Sequence, residues 1–203
     1  MDAIRIETGA SPQAAVIWLH GLGADGHDFE PIVPELALPR PVRFVFPHAP
    51  VRPVTINQGM RMRAWYDIFQ FGGGPEDEAG VRASQRLVED LIAEEKKRGI
   101  AKVVLAGFSQ GGAIVLHTAL RHPEPLAGVL ALSTYLPLAA SVAAGADVRV
   151  STVGRITEPR QAAEIVASGQ ADAVMLGREM LRDPHFALRA ATELGVELDY
   201  WPP

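Results

Sequence analysis

The chain has 203 residues, enough for one well-filled domain and short for two. Its 48% hydrophobic and 21% charged residues suit an ordinary globular protein, and a net charge of -5 gives no electrostatic footprint for nucleic acid or an anionic membrane. No cysteine is present, which excludes disulfides, thiolate nucleophiles and Cys-ligated metals and suits a reducing cytoplasm.

Asp2, Arg5 and Glu7 precede a short apolar run, Ala14 to Leu19, without the basic start and longer apolar core of a secretion signal. A cytoplasmic location is therefore expected. Ala15 to Leu19 and Arg43 to Phe46 read as strands. Val81, Leu87, Val88, Leu91 and Ile92 then recur at helical spacing. That helix opens after Glu76-Asp77-Glu78 and closes in Lys96-Lys97-Arg98 before Gly99, as the helix dipole and a glycine C-cap favour. Lys102 to Ala106 is the next strand, and a helix from about Gln110 to Arg121 stops before Pro123. Pro125 to Ala146 is uncharged and long enough to cross a bilayer, but its Gly128, Ser133, Thr134 and Pro137 make it a buried strand, Gly128 to Leu132, followed by a small-residue loop.

The alternation continues with a strand at Val148 to Val153, a helix starting at Thr157-Glu158-Pro159 and ending at Gly169, and a strand at Ala173 to Leu176. A last helix is expected with Asp183 as N-cap and Pro184 as first helical residue, running to Gly195. Strand-helix alternation of this kind predicts an α/β fold: a mostly parallel, doubly wound sheet with helices on both faces. No linker divides the chain, so a single domain over residues 1–203 is expected.

Two motifs carry chemistry. "HGLGADG", His20 to Gly26, satisfies G-x-G-x-x-G at Gly21, Gly23 and Gly26. A dinucleotide site needs a helix starting inside the motif and an acid at the end of the next strand. Here Pro31 and Pro34 interrupt the helix and the strand ends in Pro47-His48, so the nucleotide reading fails. A loop that supplies an oxyanion-hole N–H fits better. The second motif, "AGFSQGGA", contains G-x-S-x-G at Gly107, Ser109 and Gly111 between an apolar strand and a helix. That is the nucleophile elbow of an α/β-hydrolase, whose serine needs a neighbouring base.

The stretches "VIWLHGLGADGHDF", "PVTINQGMRMRAWYDI", "LAGFSQGGAIVLHTAL" and "LALSTYLPL" together resemble the bacterial carboxylesterase and acyl-protein thioesterase family of α/β-hydrolases over about residues 14–146. The resemblance implies hydrolysis of a small-molecule ester or thioester, Ser109 as nucleophile, and the main-chain N–H groups of Leu22 and Gln110 as the oxyanion hole. It also puts Trp65 in the segment flanking the acyl site. The family's later H-G-x-x-D-P motif and triad histidine are absent.

Instead, residues 149–203 resemble the last two β/α units of an FMN-dependent barrel of the old yellow enzyme family, and the chain reads as a chimera of a hydrolase-like part, 1–147, and a barrel-derived part, 148–203. By that second resemblance Gly154, Gly177 and Arg178 would hold a flavin phosphate. A quarter of a barrel cannot enclose a flavin, so no cofactor and no metal are expected, a bare phosphate at Arg178 being the alternative. Of the six histidines, only His185 follows Ser109 in the hydrolase order, with Glu158 or Asp172 as the acid between them. His20 reads as structural, His27 and His48 as loop residues, His117 as packing or solvent-facing, and His122 as a cation at a helix end. The opening turn of a helix disfavours an imidazolium, so His185 is expected to serve poorly as a base. The expected outcome is an impaired serine hydrolase or a non-catalytic scaffold. Oligomeric state is not legible.

Overall fold

The computed structural model describes residues 1–70, 74–141, 150–153, 156–169, 173–175, 182–183 and 185–196. The chain divides into two compact units, Met1–Val148 and Arg149–Pro203.

In the first unit the elements run β1 (Ala3–Glu7), β2 (Ala14–Leu19), β3 (Val42–Pro47), β4 (Val51–Val54), β5 (Met60–Arg63), α1 (Glu78–Lys97), β6 (Lys102–Phe108), α2 (Gln110–Ala119) and β7 (Gly128–Leu132). The sheet order is β1-β3-β2-β6-β7, with β1 antiparallel to β3 and the other neighbours parallel. Strands β4 and β5 form a separate antiparallel hairpin. The predicted strands and both helices are present, and the second helix ends at Ala119, with Leu120 as C-cap.

Side chains of alternate strand residues point to opposite faces. Ala15, Ile17 and Leu19 of β2 are fully buried, as are Val45 of β3 and Leu105 of β6. Helices α1 and α2 pack on one another; α1 also contacts β2 and β6, and α2 contacts β2, β6 and β7. The two α-helices of this unit therefore share one face of the sheet. Helix α1 buries Val81, Val88, Leu91 and Ile92, and the Asp77 carboxylate accepts the Gly80 N–H at 2.9 Å as its N-cap. Near its far end, buried Glu95 pairs with Arg43 of β3 at 2.9 Å, tying the helix to the sheet.

The opposite face carries Trp18, Phe44, Phe46, Ala106 and Val33 as one cluster. Phe29 stacks on Trp18 at 5.0 Å between ring centroids. This segment makes two 3-10 turns, Glu30–Ile32 and Pro34–Leu36, rather than an α-helix. Pro31 and Pro34 each lack an N–H and fit only a first turn, which stops a longer helix from forming over this face.

The second unit contains β8 (Val150–Val153), α3 (Pro159–Ala167), β9 (Ala173–Met175) and α4 (Phe186–Leu194). Strands β8 and β9 are parallel, and α3 packs on β9 and α4. Glu158 is the N-cap of α3 with Pro159 in its first turn, and Gly169 follows with φ +73°, as the sequence implies. Helix α4 starts later than expected: its N-cap is His185, not Asp183. The Asp183 carboxylate accepts the His185 N–H at 3.0 Å and also Arg189 Nε at 2.9 Å, so it closes the turn before the helix. Among the described residues no helix is long and apolar enough to cross a membrane.

Candidate active site

Ser109 stands between the last residue of β6 and the first of α2, at φ +52° and ψ -117°. For a residue with a Cβ this conformation costs roughly 1–3 kcal/mol and persists only where the surroundings enforce it. They do so here through main-chain bonds. The Ser109 N–H donates to Leu132 O at 2.8 Å, and its carbonyl accepts from Ala113 N at 3.1 Å and Thr134 Oγ1 at 2.6 Å. The flanking glycines are required by close approach. A Cβ at Gly107 would lie 2.6 Å from the Gly111 carbonyl, and one at Gly111 would lie 2.5 Å from the carbonyl oxygens of both Leu19 and His20.

The loop after β2 comes to the same place. A Cβ on Gly21 would stand 3.6 Å from Ser109 Cβ, and Leu22 is the next residue. Gln110 opens α2, where the first N–H groups of a helix have no partner within it. Ser109, Gln110 and the loop bearing Leu22 are thus brought together. His20 holds this loop. Its Nε2 accepts the Ala49 N–H at 3.0 Å, which leaves the proton on Nδ1 to donate to Gly21 O at 2.7 Å. Burial holds the His20 pKa below its ordinary value, so the ring is neutral. His48 Nδ1 accepts the Gly26 N–H at 3.0 Å, and Gly23 N–H donates to Arg63 O at 2.9 Å.

A cleft of about 600 Å³ opens beside Ser109 and Gln110, lined among others by Tyr66, Ile68, Phe69 and Tyr135. That volume suits a small organic ligand, since such sites span roughly 300–1,000 Å³. The Tyr66 and Tyr135 hydroxyls are 2.9 Å apart, and burial pushes the Tyr66 phenol well above its ordinary pKa, so it stays protonated. Three carboxylates at the cleft are occupied with its frame. Asp67 accepts the N–H and the hydroxyl of Thr55, Asp77 accepts the Asp67 N–H, and Glu76 accepts the Leu138 N–H.

Trp65 is fully buried and belongs to the frame rather than the lining, which begins one residue later at Tyr66. Its Nε1 donates to His20 O at 2.9 Å, and its main-chain N–H donates to Gln110 Oε1 at 2.8 Å. Gln110 Nε2 donates to Tyr66 O at 2.7 Å, and Ser84 Oγ donates to Trp65 O. The sequence pointed to the N–H of Gln110 but gave no sign of this use of its side chain.

Among the described residues of the first unit, no imidazole hydrogen-bonds to the Ser109 hydroxyl. His27 pairs with Glu30 at 2.7 Å. His117 is fully buried, with Nε2 3.0 Å from Gln85 Oε1; burial, followed by the Arg121 charge, lowers its pKa to about 4. His122 departs from the expected helix-end cation: burial and then Lys96 lower its pKa, and neither ring nitrogen has a partner among the described residues. In the second unit, Glu158 and His185 are exposed and each occupies a helix N-cap. Asp172, Gly154, Gly177 and Arg178 lie outside the described residues. Among the described residues no three His, Cys, Asp or Glu side chains cluster to hold a metal ion.

Comparison with known proteins supplies two family matches. The phospholipase/carboxylesterase profile matches residues 1–153, and the profile of the NADH:flavin oxidoreductase / NADH oxidase family matches residues 132–197. Acyl-protein thioesterase 1 of Neurospora crassa is 36% identical over 200 residues, which cover 90% of this chain and 79% of that protein. Acyl-protein thioesterase 1 of Mycosarcoma maydis is 43% identical over 157 residues, 69% of this chain and 65% of that protein, so the matched stretch is just under two thirds of that relative. Among solved structures, Arabidopsis thaliana SOBER1 superposes with a TM-score of 0.66 at 25% identity, covering 87% of this chain and 98% of that one. Zea mays acyl-protein thioesterase 2 gives a TM-score of 0.71 at 22% identity over 93% of this chain and 98% of that one, a likeness of fold.

Proposed function

Since the chain belongs to the phospholipase/carboxylesterase family of α/β-hydrolases, we propose that it is a serine hydrolase of carboxylic esters or acyl thioesters whose proton transfer is impaired. The observation that carries the reading is Ser109 at its strained turn beside the loop of Gly21 and Leu22. Ser109 Oγ attacks the acyl carbonyl as its proton passes to solvent, and the carbonyl oxygen becomes an oxyanion received by the N–H groups of Leu22 and Gln110; the tetrahedral adduct then collapses, expelling the alcohol or thiol and leaving an acyl-serine that water cleaves to the acid. The acyl group lies in the cleft of Tyr66, Ile68 and Phe69. A small-molecule substrate and a cytoplasmic location belong to the same proposal.

The impairment rests on the absence of the family's aspartate and histidine motifs from the sequence. Glu158 and His185 stand in the hydrolase order, but both are exposed, and His185 is taken up as the N-cap of α4. We assign it no effective role as base. The test is a fluorophosphonate probe, with turnover of a short-chain aryl ester as its companion. Slow labelling and turnover, both lost in Ser109→Ala, are expected; turnover that survives Ser109→Ala refutes the assignment.

The match of residues 132–197 to the flavin oxidoreductase profile favours a second reading, a chimeric, non-catalytic chain with a phosphate site at Gly154, Gly177 and Arg178. Flavin itself does not fit. The described part of the second unit has two strands, β8 and β9, whereas an eight-stranded barrel is needed to surround the ring system. Titration with inorganic phosphate, comparing wild type with Arg178→Ala, separates this reading from the first.

A further inference from the structure

The two proposed oxyanion donors come from segments far apart in sequence: Leu22 from the loop after β2 and Gln110 from the start of α2. We propose that the Gln110 side chain is a positioning residue that couples these two donors, a role separate from its own N–H. The inference rests on the ester or thioester hydrolase reading.

A continuous chain of hydrogen bonds runs between the donors. Gln110 Oε1 accepts the Trp65 N–H at 2.8 Å, and Gln110 Nε2 donates to Tyr66 O at 2.7 Å. Trp65 Nε1 donates to His20 O at 2.9 Å, and the His20 ring closes on Gly21 O at 2.7 Å, one residue before Leu22. Gln110, Trp65 and His20 are 2%, 0% and 1% exposed. Water cannot replace a lost partner there, and hydrogen bonds in such an interior polarise and stiffen one another.

The amide is the group this position requires. It offers one acceptor and two donors on a planar end, matching an N–H from Trp65 and a carbonyl from Tyr66. A carboxylate offers two acceptors and sets a negative oxygen against Tyr66 O. A protonated carboxyl restores the donor. This gives a signature that bulk loss of stability does not produce.

The experiment compares wild type, Gln110→Met, Gln110→Glu and Trp65→Phe. Turnover of a short-chain aryl ester is followed across pH 4.5–8, and hydrogen exchange is followed at the Gly21 and Leu22 amides. Gln110→Met is expected to lower kcat by about 10²–10³-fold, the cost of a misplaced oxyanion donor, with KM moving far less. Gln110→Glu, expressed as a ratio to wild type at each pH, should recover as the pH falls and its carboxyl protonates. Exchange at Gly21 and Leu22 should speed up in Gln110→Met and in Trp65→Phe, which loses the donor to His20 O together with part of the buried ring but keeps the main-chain N–H that Gln110 accepts.

A Gln110→Met enzyme within roughly threefold of wild-type kcat, or a Gln110→Glu ratio independent of pH, overturns the coupling. Should Gln110→Met fail to fold, unchanged exchange in Trp65→Phe overturns it alone. Wild type without Ser109-dependent turnover sinks the hydrolase reading, and the exchange data still decide the coupling.

Discussion

Protonation of His117 should make the protein lose stability in mild acid, by an amount the structure sets. The ring is buried between α2 and its surroundings, with Nε2 at Gln85 Oε1 and Nδ1 3.4 Å from Pro137 O, and its pKa is lowered to about 4 from an ordinary 6.5. The folded chain therefore resists a proton that the unfolded chain takes up below pH 6.5. The His117 contribution is fully present above that pH and drains away as the pH falls toward 4. With ~1.4 kcal/mol per pKa unit, about 2 kcal/mol is lost by pH 5 and about 3 kcal/mol by pH 4. Urea unfolding of wild type and His117→Gln at pH 7, 6, 5 and 4 measures it, because Gln keeps a polar partner for Gln85 and cannot titrate. His20 and His122 titrate in both proteins, so the difference between the two curves isolates His117. A difference that stays flat from pH 7 to pH 4 would show that His117 accepts its proton as easily folded as unfolded, and the buried-imidazole argument would be wrong.

Other outcomes follow from the elbow and from the proposed impairment. Gly111→Ala puts a Cβ 2.5 Å from two main-chain carbonyl oxygens; it should cost at least about 1–3 kcal/mol, as overpacking does, and a thermal midpoint equal to wild type would refute the close approach. Free imidazole should accelerate acyl transfer from an aryl ester in a Ser109-dependent way, whereas no acceleration, together with a large loss in His185→Ala, would mean that His185 already serves as the base. The single-domain organisation proposed from the sequence requires one cooperative unfolding transition in denaturant, and two resolved transitions would exclude it.

The part of the fold set by short-range pattern was legible. Strands β2, β3, β6 and β7 follow from apolar runs, α1 from its acidic start, basic end and Gly99, and the elbow from glycines whose hydrogens alone fit against the neighbouring carbonyls. What stayed hidden depends on partners distant in the chain. Nothing in the neighbourhood of Gln110 announces that its amide meets Trp65 and Tyr66, and nothing near Tyr66 announces a hydroxyl partner at Tyr135. His117 has the spacing of either a packing or a surface residue; its burial is set by α1, through Gln85, and by Pro137. The start of α4 was misread by two residues because Asp183 is a good N-cap type, yet its carboxylate is used by the His185 N–H and by Arg189.

On the proposed reading, the elbow and the oxyanion loop must keep their shape without the family's acid and base. The strain at Ser109 is held by Leu132, Ala113 and Thr134, and the loop of Leu22 is held by His20, Trp65 and Arg63, all within the first 141 residues. None of these restraints involves an acid-base pair, so in the proposed hydrolase the electrostatic part of catalysis and the proton-transfer part are structurally separable. The proposed loss of the base would remove proton transfer but leave the restraints on the elbow and loop in place. In serine enzymes stripped of their triad, an oxyanion hole with substrate binding still gives about 10³-fold acceleration. An acyl group with a good leaving group makes the least demand on proton transfer. A thiol, with an ordinary pKa near 8.5, departs as its anion far more readily than an alkyl alcohol and needs no general acid. The same physical separation therefore biases the proposed residual chemistry toward thioesters and activated esters, and away from simple alkyl esters.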